Sequence, residues 1–364
     1  EQMQTVLSMY NEGNGNMVEL GELIERRKNM RRCRIGFVLT KTLAKELFSQ
    51  ETVDFLASFA DFNALSKLPD RITPEYMLET LADADVAVTC WHTPAFTDEM
   101  LERLPKLRLV AHAAGSIKNL VPKSFWQNGR RITSNAPVLA EDVAQTTLAH
   151  ILSGLKRMWE MGNRMRSGGW KPEPGTVLRR PNGLTVGIVG ASMAGRAVIE
   201  YLRPFHCRVL VSDPFFSALE AKTLGVTKME LDEMLPLCDV VSLHAPANED
   251  CRHMLNARNL PTLKDGCLLI NTARGMLIEE PALIRELETG RISACLDVTD
   301  PEPSAPDSPL RTLPNVLLQP HLAGGHTQNG RLEMGENIAN EIYSYVMKGT
   351  LRYDIRNDAL LHMA

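Results

Sequence analysis

Three residues in the last third of this 364-residue chain have the types needed to reduce a carbonyl that lies beside a carboxylate. Arg274, in TARG (272–275), offers a planar guanidinium that can take a carboxylate bidentately and polarise the adjacent carbonyl. His321, in QPHLAGG (319–325), offers an imidazole that can deliver a proton as hydride reaches the carbon. Glu302, in LDVTDPEPSAPDSP (296–309), is the candidate anion to hold that imidazole protonated and oriented, and Asp300 competes for the role. Each has a plain alternative: a strand-end cap, a histidine wedged in a loop after Pro320, a solvated glutamate among prolines.

All three follow short apolar runs that read as buried parallel strands, and these runs alternate with helical segments. The second half of the chain predicts strands at 185–190, 207–212, 239–243, 267–271, 293–297 and 316–319, hence a parallel, doubly wound sheet. Ligands of such sheets bind outside the carboxyl ends of the strands, where this sequence places its chemistry. After the first strand, TVGIVGASMAGRAV (185–198) puts Gly190 and Gly195 around a helix start. The position where a dinucleotide-binding G-x-G-x-x-G turn has its second glycine is Ser192, so a side chain stands where the backbone must approach a pyrophosphate. Its hydroxyl is expected either to bond a phosphate oxygen or to push the phosphates outward, leaving the amides of Met193 and Ala194 as the main anion site. Asp213 follows the second strand, about twenty residues beyond Gly190, where a carboxylate would bond an adenosine ribose and repel a 2′-phosphate; this favours NAD over NADP.

The first half carries a similar series at 33–40, 84–90, 107–113 and 130–135, with Trp91 and His92 at one strand end. Trp91 is either a packed aromatic or a wall of the substrate pocket. One long helix is expected from 140 to 167, bridging the two halves until GGWKPEPG (168–175) stops it, and an amphipathic helix over 330–349 is expected to return onto the first half.

Composition excludes several classes. With 44% hydrophobic and 23% charged residues the chain is an ordinary globular one, and a net charge of −4 gives no nucleic-acid footprint. The basic run at 25–34 reads as a solvated lead-in to the first strand. No apolar stretch approaches the ~20 residues of a membrane span, and the polar start lacks a secretion signal. Seven scattered cysteines without C-x-x-C spacing indicate a reducing, cytoplasmic setting and no metal site.

Taken together, TVGIVGASMAGRAV, INTARGMLIEEPAL (270–283), LDVTDPEP (296–303) and NVLLQPHLAGG (315–325) resemble the NAD-dependent D-isomer-specific 2-hydroxyacid dehydrogenases, over residues 34–351. The resemblance implies a Rossmann-type cofactor domain (139–322) inserted in a flavodoxin-like substrate domain (1–138 and 323–364, with 1–32 an extension). It implies that Arg274 holds the substrate carboxylate, His321 is the acid/base and Glu302 its partner. It also implies NAD contacts from Gly190, Ser192, Met193, Ala194, Gly195, Asp213, Thr272, Ala273, Arg274 and His321. Asp297 would face the nicotinamide, and His244, Ala245 and Pro246 the adenine. Substrate contacts are expected at Trp91, Gly115, Ser116 and Arg274, and a homodimer through the cofactor domains. The substrate loop HAAGSIKNL (112–120) departs from the family's usual G-x-G-x-D-N, with Lys118 in place of the aspartate. Two other activities share the scaffold: NAD-sensing corepressors and phosphite oxidation. Formate oxidation is disfavoured, because glutamine would stand at Glu302.

Overall fold

The computed structural model describes residues 31–357. The expected N-terminal extension lies almost wholly outside them, as do the last residues of the expected substrate domain.

Strand β1 (Cys33–Val38) is followed by helices α1 (Lys41–Leu47) and α2 (Gln50–Ala57), strand β2 (Ala60–Phe62), helix α3 (Pro74–Leu81), strand β3 (Val86–Thr89), helix α4 (Asp98–Arg103), and strands β4 (Leu109–His112) and β5 (Arg131–Ser134). The five strands form one parallel sheet, ordered β2-β1-β3-β4-β5. Every residue of β3 and β4 is buried, as expected of strands covered on both faces. Phe37, Val86, Val88, Leu109 and Ala111 fill one side, and Val38, Ala87, Val110, Phe125 and Ile132 the other. Strand β2 was not predicted, because three residues carry too little of a two-residue period to stand out.

The bridging helix differs from expectation. Helix α5 (Ala136–Leu155) begins earlier, with Pro137 in its first turn, where a missing N–H costs nothing. It stops at Lys156, and Arg157 takes a left-handed φ of 49° before helix α6 (Met158–Arg166) starts in a new direction. No Gly or Pro marks that break.

A second sheet follows: β6 (Thr185–Val189), helix α7 (Met193–Leu202), β7 (Arg208–Ser212), helix α8 (Ala218–Leu224), β8 (Thr227–Lys228), helix α9 (Leu231–Met234), β9 (Val240–Leu243), β10 (Leu268–Asn271), helix α10 (Glu280–Glu288), β11 (Ser293–Leu296) and β12 (Val316–Leu318). All seven strands are parallel, ordered β12-β11-β10-β9-β6-β7-β8. The chain therefore winds outward from β6 in one direction and resumes at β9 in the other, which opens a crevice at the carboxyl ends of β6 and β9. Helix α5 covers one face of this sheet with Ala144, Ile151 and Leu155.

Helix α11 (Gln328–Lys348) returns to the first sheet, as expected. Met334, Ile338, Ala339 and Ile342 join the cluster around Phe37 and Leu47. Full burial of Ile338 and Ile342 contributes about 1.5–3 kcal/mol each, so the chain end is tied to the unit in which the chain began.

Candidate active site

The glycine turn after β6 is built by close packing. Gly190 has φ 95°, and a Cβ there would strike the backbone of His244 and Ala245 in the loop after β9. A Cβ on Gly195 would strike the carbonyl of Gly190, so helix α7 sits directly against the turn. Ser192 is the N-cap of this helix: its Oγ accepts from the Gly195 amide at 3.3 Å. This is a third role beside the two expected of it. The hydroxyl proton remains available to a phosphate, while the amides of Met193 and Ala194 begin the helix with no preceding turn to bond. Asp213 is clamped beside the same turn, with Oδ2 accepting from Ala191 N at 2.7 Å and Oδ1 from Phe215 N at 2.8 Å. A carboxylate held half-buried at that place, next to a helix N-terminus, suits a ribose diol followed by phosphates.

Beyond β10, Asn271 shapes the TARG turn. Its side chain donates to the Arg274 carbonyl at 2.9 Å and accepts from Ala273 N at 3.1 Å. Sequence reading missed this residue, although an Asn at a strand end ahead of a turn is the available signal. Gly275 then lies against the backbone of Thr299 and Asp300, so the arginine turn and the loop carrying Glu302 are packed together. Arg274 is half-buried. Burial lowers its pKa, and the nearby Glu302 carboxylate partly offsets that.

The loop after β12 supplies the imidazole. His321 Nδ1 lies 2.5 Å from Glu302 Oε1, and the two side chains keep 44% and 42% exposure toward the cleft. An ionised carboxylate only accepts hydrogen bonds, so the proton belongs on Nδ1 and Nε2 is left to face a substrate. Asp300, the other candidate, lies 4.0 Å from Arg252 and takes no part in this pair. His321 itself has φ 55°, an uncommon left-handed backbone for a side chain of this size.

Asp297 holds that backbone. It is 1% exposed, its oxygens accept from Leu322 N at 2.7 Å and Ala323 N at 2.9 Å, and its carbonyl accepts from His321 N at 2.8 Å. Asp297 thus anchors the histidine loop, each carboxylate oxygen accepting from one backbone amide and keeping a second lone pair. Two neighbouring side chains are held by the fold in the same way. The Thr272 hydroxyl is buried against the Thr147 hydroxyl of α5 at 2.8 Å. The His244 ring is turned inward, 4% exposed, with Nε2 2.8 Å from Ser242 Oγ; burial lowers its pKa to about 4. The other ring nitrogen, Nδ1, is buried with no hydrogen-bond partner among the described residues, and Ala245 and Pro246 follow it in the loop.

On the opposite wall, Gly115 is half-buried and Ser116 exposed in the loop after β4. The half-buried Trp91 ring stacks on His326 at 6.4 Å, lies under the Arg331 guanidinium at 5.8 Å and touches the Gly325 position. It thus packs on the segment that follows His321. Among the described residues no group of His, Cys, Asp or Glu could hold a metal ion.

Known proteins place the chain in a family. The family model described as "D-isomer specific 2-hydroxyacid dehydrogenase, NAD binding domain" matches residues 148–323. A glyoxylate reductase from Korarchaeum cryptofilum is 34% identical over 273 residues, 74% of this chain and 82% of the relative. This chain belongs to the D-isomer-specific 2-hydroxyacid dehydrogenases. A second glyoxylate reductase, from Aeropyrum pernix, is 30% identical over 83% of this chain and 91% of its own length. Among solved structures, a glyoxylate reductase from Paecilomyes thermophila superposes with a TM-score of 0.74 at 26% identity, covering 90% of this chain and all of that one. As a member of the family, the dehydrogenase is an NAD-dependent oxidoreductase of 2-hydroxy and 2-oxo acids.

Proposed function

We propose that this dehydrogenase reduces a 2-oxo acid to the D-2-hydroxy acid with Arg274, Glu302 and His321 as its catalytic residues. The observation that carries the assignment is the 2.5 Å His321–Glu302 pair, set on a loop packed against the arginine turn. NADH, when bound, supplies the hydride. Asp213 would hold its adenosine ribose, and the amides of Met193 and Ala194, with the Ser192 hydroxyl, its phosphates. Arg274 grips the substrate carboxylate and draws electron density from the carbonyl. His321 releases a proton from Nε2 to the forming alkoxide, and Glu302 stabilises the imidazolium before that transfer. Asp297 keeps the histidine loop in register throughout.

The two parallel sheets support a division into a substrate domain (1–138 and 323–364) and a cofactor domain (139–322). The chain crosses between them in the first turn of α5 and just before Gly325, whose amide donates to Asp142 of α5 at 2.7 Å. Met158 and Met165 of α6, with Trp170, Val177 and Leu178 beyond it, are exposed and apolar. They support a homodimer through the cofactor domains. Seven free thiols support a cytoplasmic setting; among the described residues no helix is long and apolar enough to cross a membrane.

The test is NADH oxidation against a panel of 2-oxo acids, with His321→Ala beside the parent. That variant is expected to lose about 10²- to 10⁴-fold in turnover, the acid/base range, with NADH binding retained. Near-parental turnover would remove His321 from the mechanism, and tight NADH binding without turnover of any 2-oxo acid would overturn the assignment.

A further inference from the structure

Lys118 has no place in the mechanism above, yet it reaches into the same cleft. It lies in the loop after β4, two residues beyond Ser116, and its side chain crosses from the first unit to the second. There Nζ donates to the carbonyl of Ala247, just past Pro246, at 2.8 Å. Among the described residues no carboxylate pairs with it; a neutral carbonyl is its hydrogen-bond partner. The ammonium is half-buried and feels the Arg274 guanidinium, and burial together with that like charge depresses its pKa.

Glu302 offsets the burial of Arg274 only in part, and Lys118 has no carboxylate partner among the described residues, so the two cations favour further negative charge between them. The carboxylate of a 2-oxo acid satisfies Arg274. A second negative charge is needed for Lys118, and a charge-assisted bond to it would displace the weaker bond to Ala247. The residue stands where the motif that this loop resembles has an aspartate, so the formal charge at this position is reversed.

We propose that Lys118 is a specificity-determining residue and that the preferred substrate is a 2-oxo acid whose side chain ends in a second anion, a carboxylate or a phosphate ester. This inference rests on the 2-oxo acid reduction proposed above and names its substrate class.

The test pairs compounds that differ in the distal charge. Initial rates with NADH compare oxaloacetate with 2-oxobutanoate, 2-oxoglutarate with 2-oxopentanoate, and 3-phosphooxy-2-oxopropanoate with 3-hydroxy-2-oxopropanoate. Calorimetry on the NADH-saturated protein, which cannot oxidise an alcohol, compares D-malate with D-2-hydroxybutyrate. In at least one pair the dianion is expected to be favoured about 10- to 100-fold, the worth of one hydrogen bond to a charged group. Lys118→Met should abolish the preference, leaving the monoanions and NADH binding unchanged. Which pair responds distinguishes carboxylate from phosphate. Turnover without preference, or a preference that survives in Lys118→Met, overturns the role of Lys118 while the reaction stands. A malate preference without turnover of any oxo acid overturns the reaction while the anion site stands. Failure of every ligand to bind overturns both, and weakened NADH binding in Lys118→Met with the preference intact would reassign the cation to the cofactor's diphosphate.

Discussion

Asp297→Asn tests whether the carboxylate under the histidine loop acts by anchoring it. In the parent, one buried carboxylate accepts from Leu322 N at 2.7 Å and from Ala323 N at 2.9 Å. Hydrogen bonds to a charged group contribute about 1.5–3 kcal/mol each, and a neutral one about 0.5–1.5. Asparagine keeps one acceptor oxygen and turns an NH2 group toward the other amide, which leaves a buried donor unsatisfied. The net loss is about 2–4 kcal/mol. The strained backbone of His321, φ 55°, loses part of what holds it, so the imidazole is expected to move relative to Glu302 and Arg274. A displacement of ~1 Å costs on the order of 10²-fold in rate. Urea unfolding, initial rates of NADH oxidation and NADH binding by fluorescence read the three consequences separately. The expected outcome is a lowered unfolding midpoint, turnover down about 100-fold, and an NADH Kd within about 2-fold of the parent, which is only ~0.4 kcal/mol. Unchanged stability together with NADH binding lost in step with turnover would refute the anchor and restore Asp297 as a cofactor contact.

Three further outcomes follow from the same geometry. Glu302→Gln leaves a hydrogen-bonding group beside His321 but no charge, and turnover should fall about 10- to 100-fold, as for one hydrogen bond to a charged group; rates equal to the parent's would dissolve the pair as a functional unit. Ser192→Gly removes the N-cap hydroxyl at a cost of only a few tenths of a kcal/mol, so NADH affinity should stay within about 3-fold if the amides of Met193 and Ala194 carry the phosphates; a larger loss would make the serine a ligand in its own right. His112 and His244 are buried neutral, and desolvation lowers each pKa to about 4. The unfolded chain, with ordinary histidines near ~6.5, binds these protons first. Stability is therefore fully present above about pH 6.5 and declines as the pH falls toward 4, by a few kcal/mol in all. Urea midpoints measured across that range should fall, and a His112→Asn, His244→Gln double variant should flatten the decline; the same slope in both proteins would assign it to other groups.

The order of strands and turns was legible in the sequence because it is local chemistry. Apolar runs of four or five residues between helical segments specify buried parallel strands, and the residues just past them must face the crevice. That logic located Arg274, Glu302, His321, Asp213 and the glycine turn before any coordinate was needed. Elements with little local signal escaped it: the two-residue strand β8, too short for a period, and the break at Arg157, where no Gly or Pro announces the left-handed residue.

Side-chain direction was another matter, since it depends on what the folded chain places opposite each residue. Glu302 rather than Asp300 meets the histidine because Asp300 faces Arg252. Thr272 turns to α5, His244 to Ser242, and Asp297 to the amides of the His321 loop. Trp91 rests on a segment more than 200 residues away in sequence, and Lys118 touches Ala247 across the cleft. Sequence by itself determined which residues stand at the strand ends; only the packing of two sheets and their crossing segments decided which of them face substrate and which hold the others in place, because a buried polar group must find its partner wherever the fold supplies one.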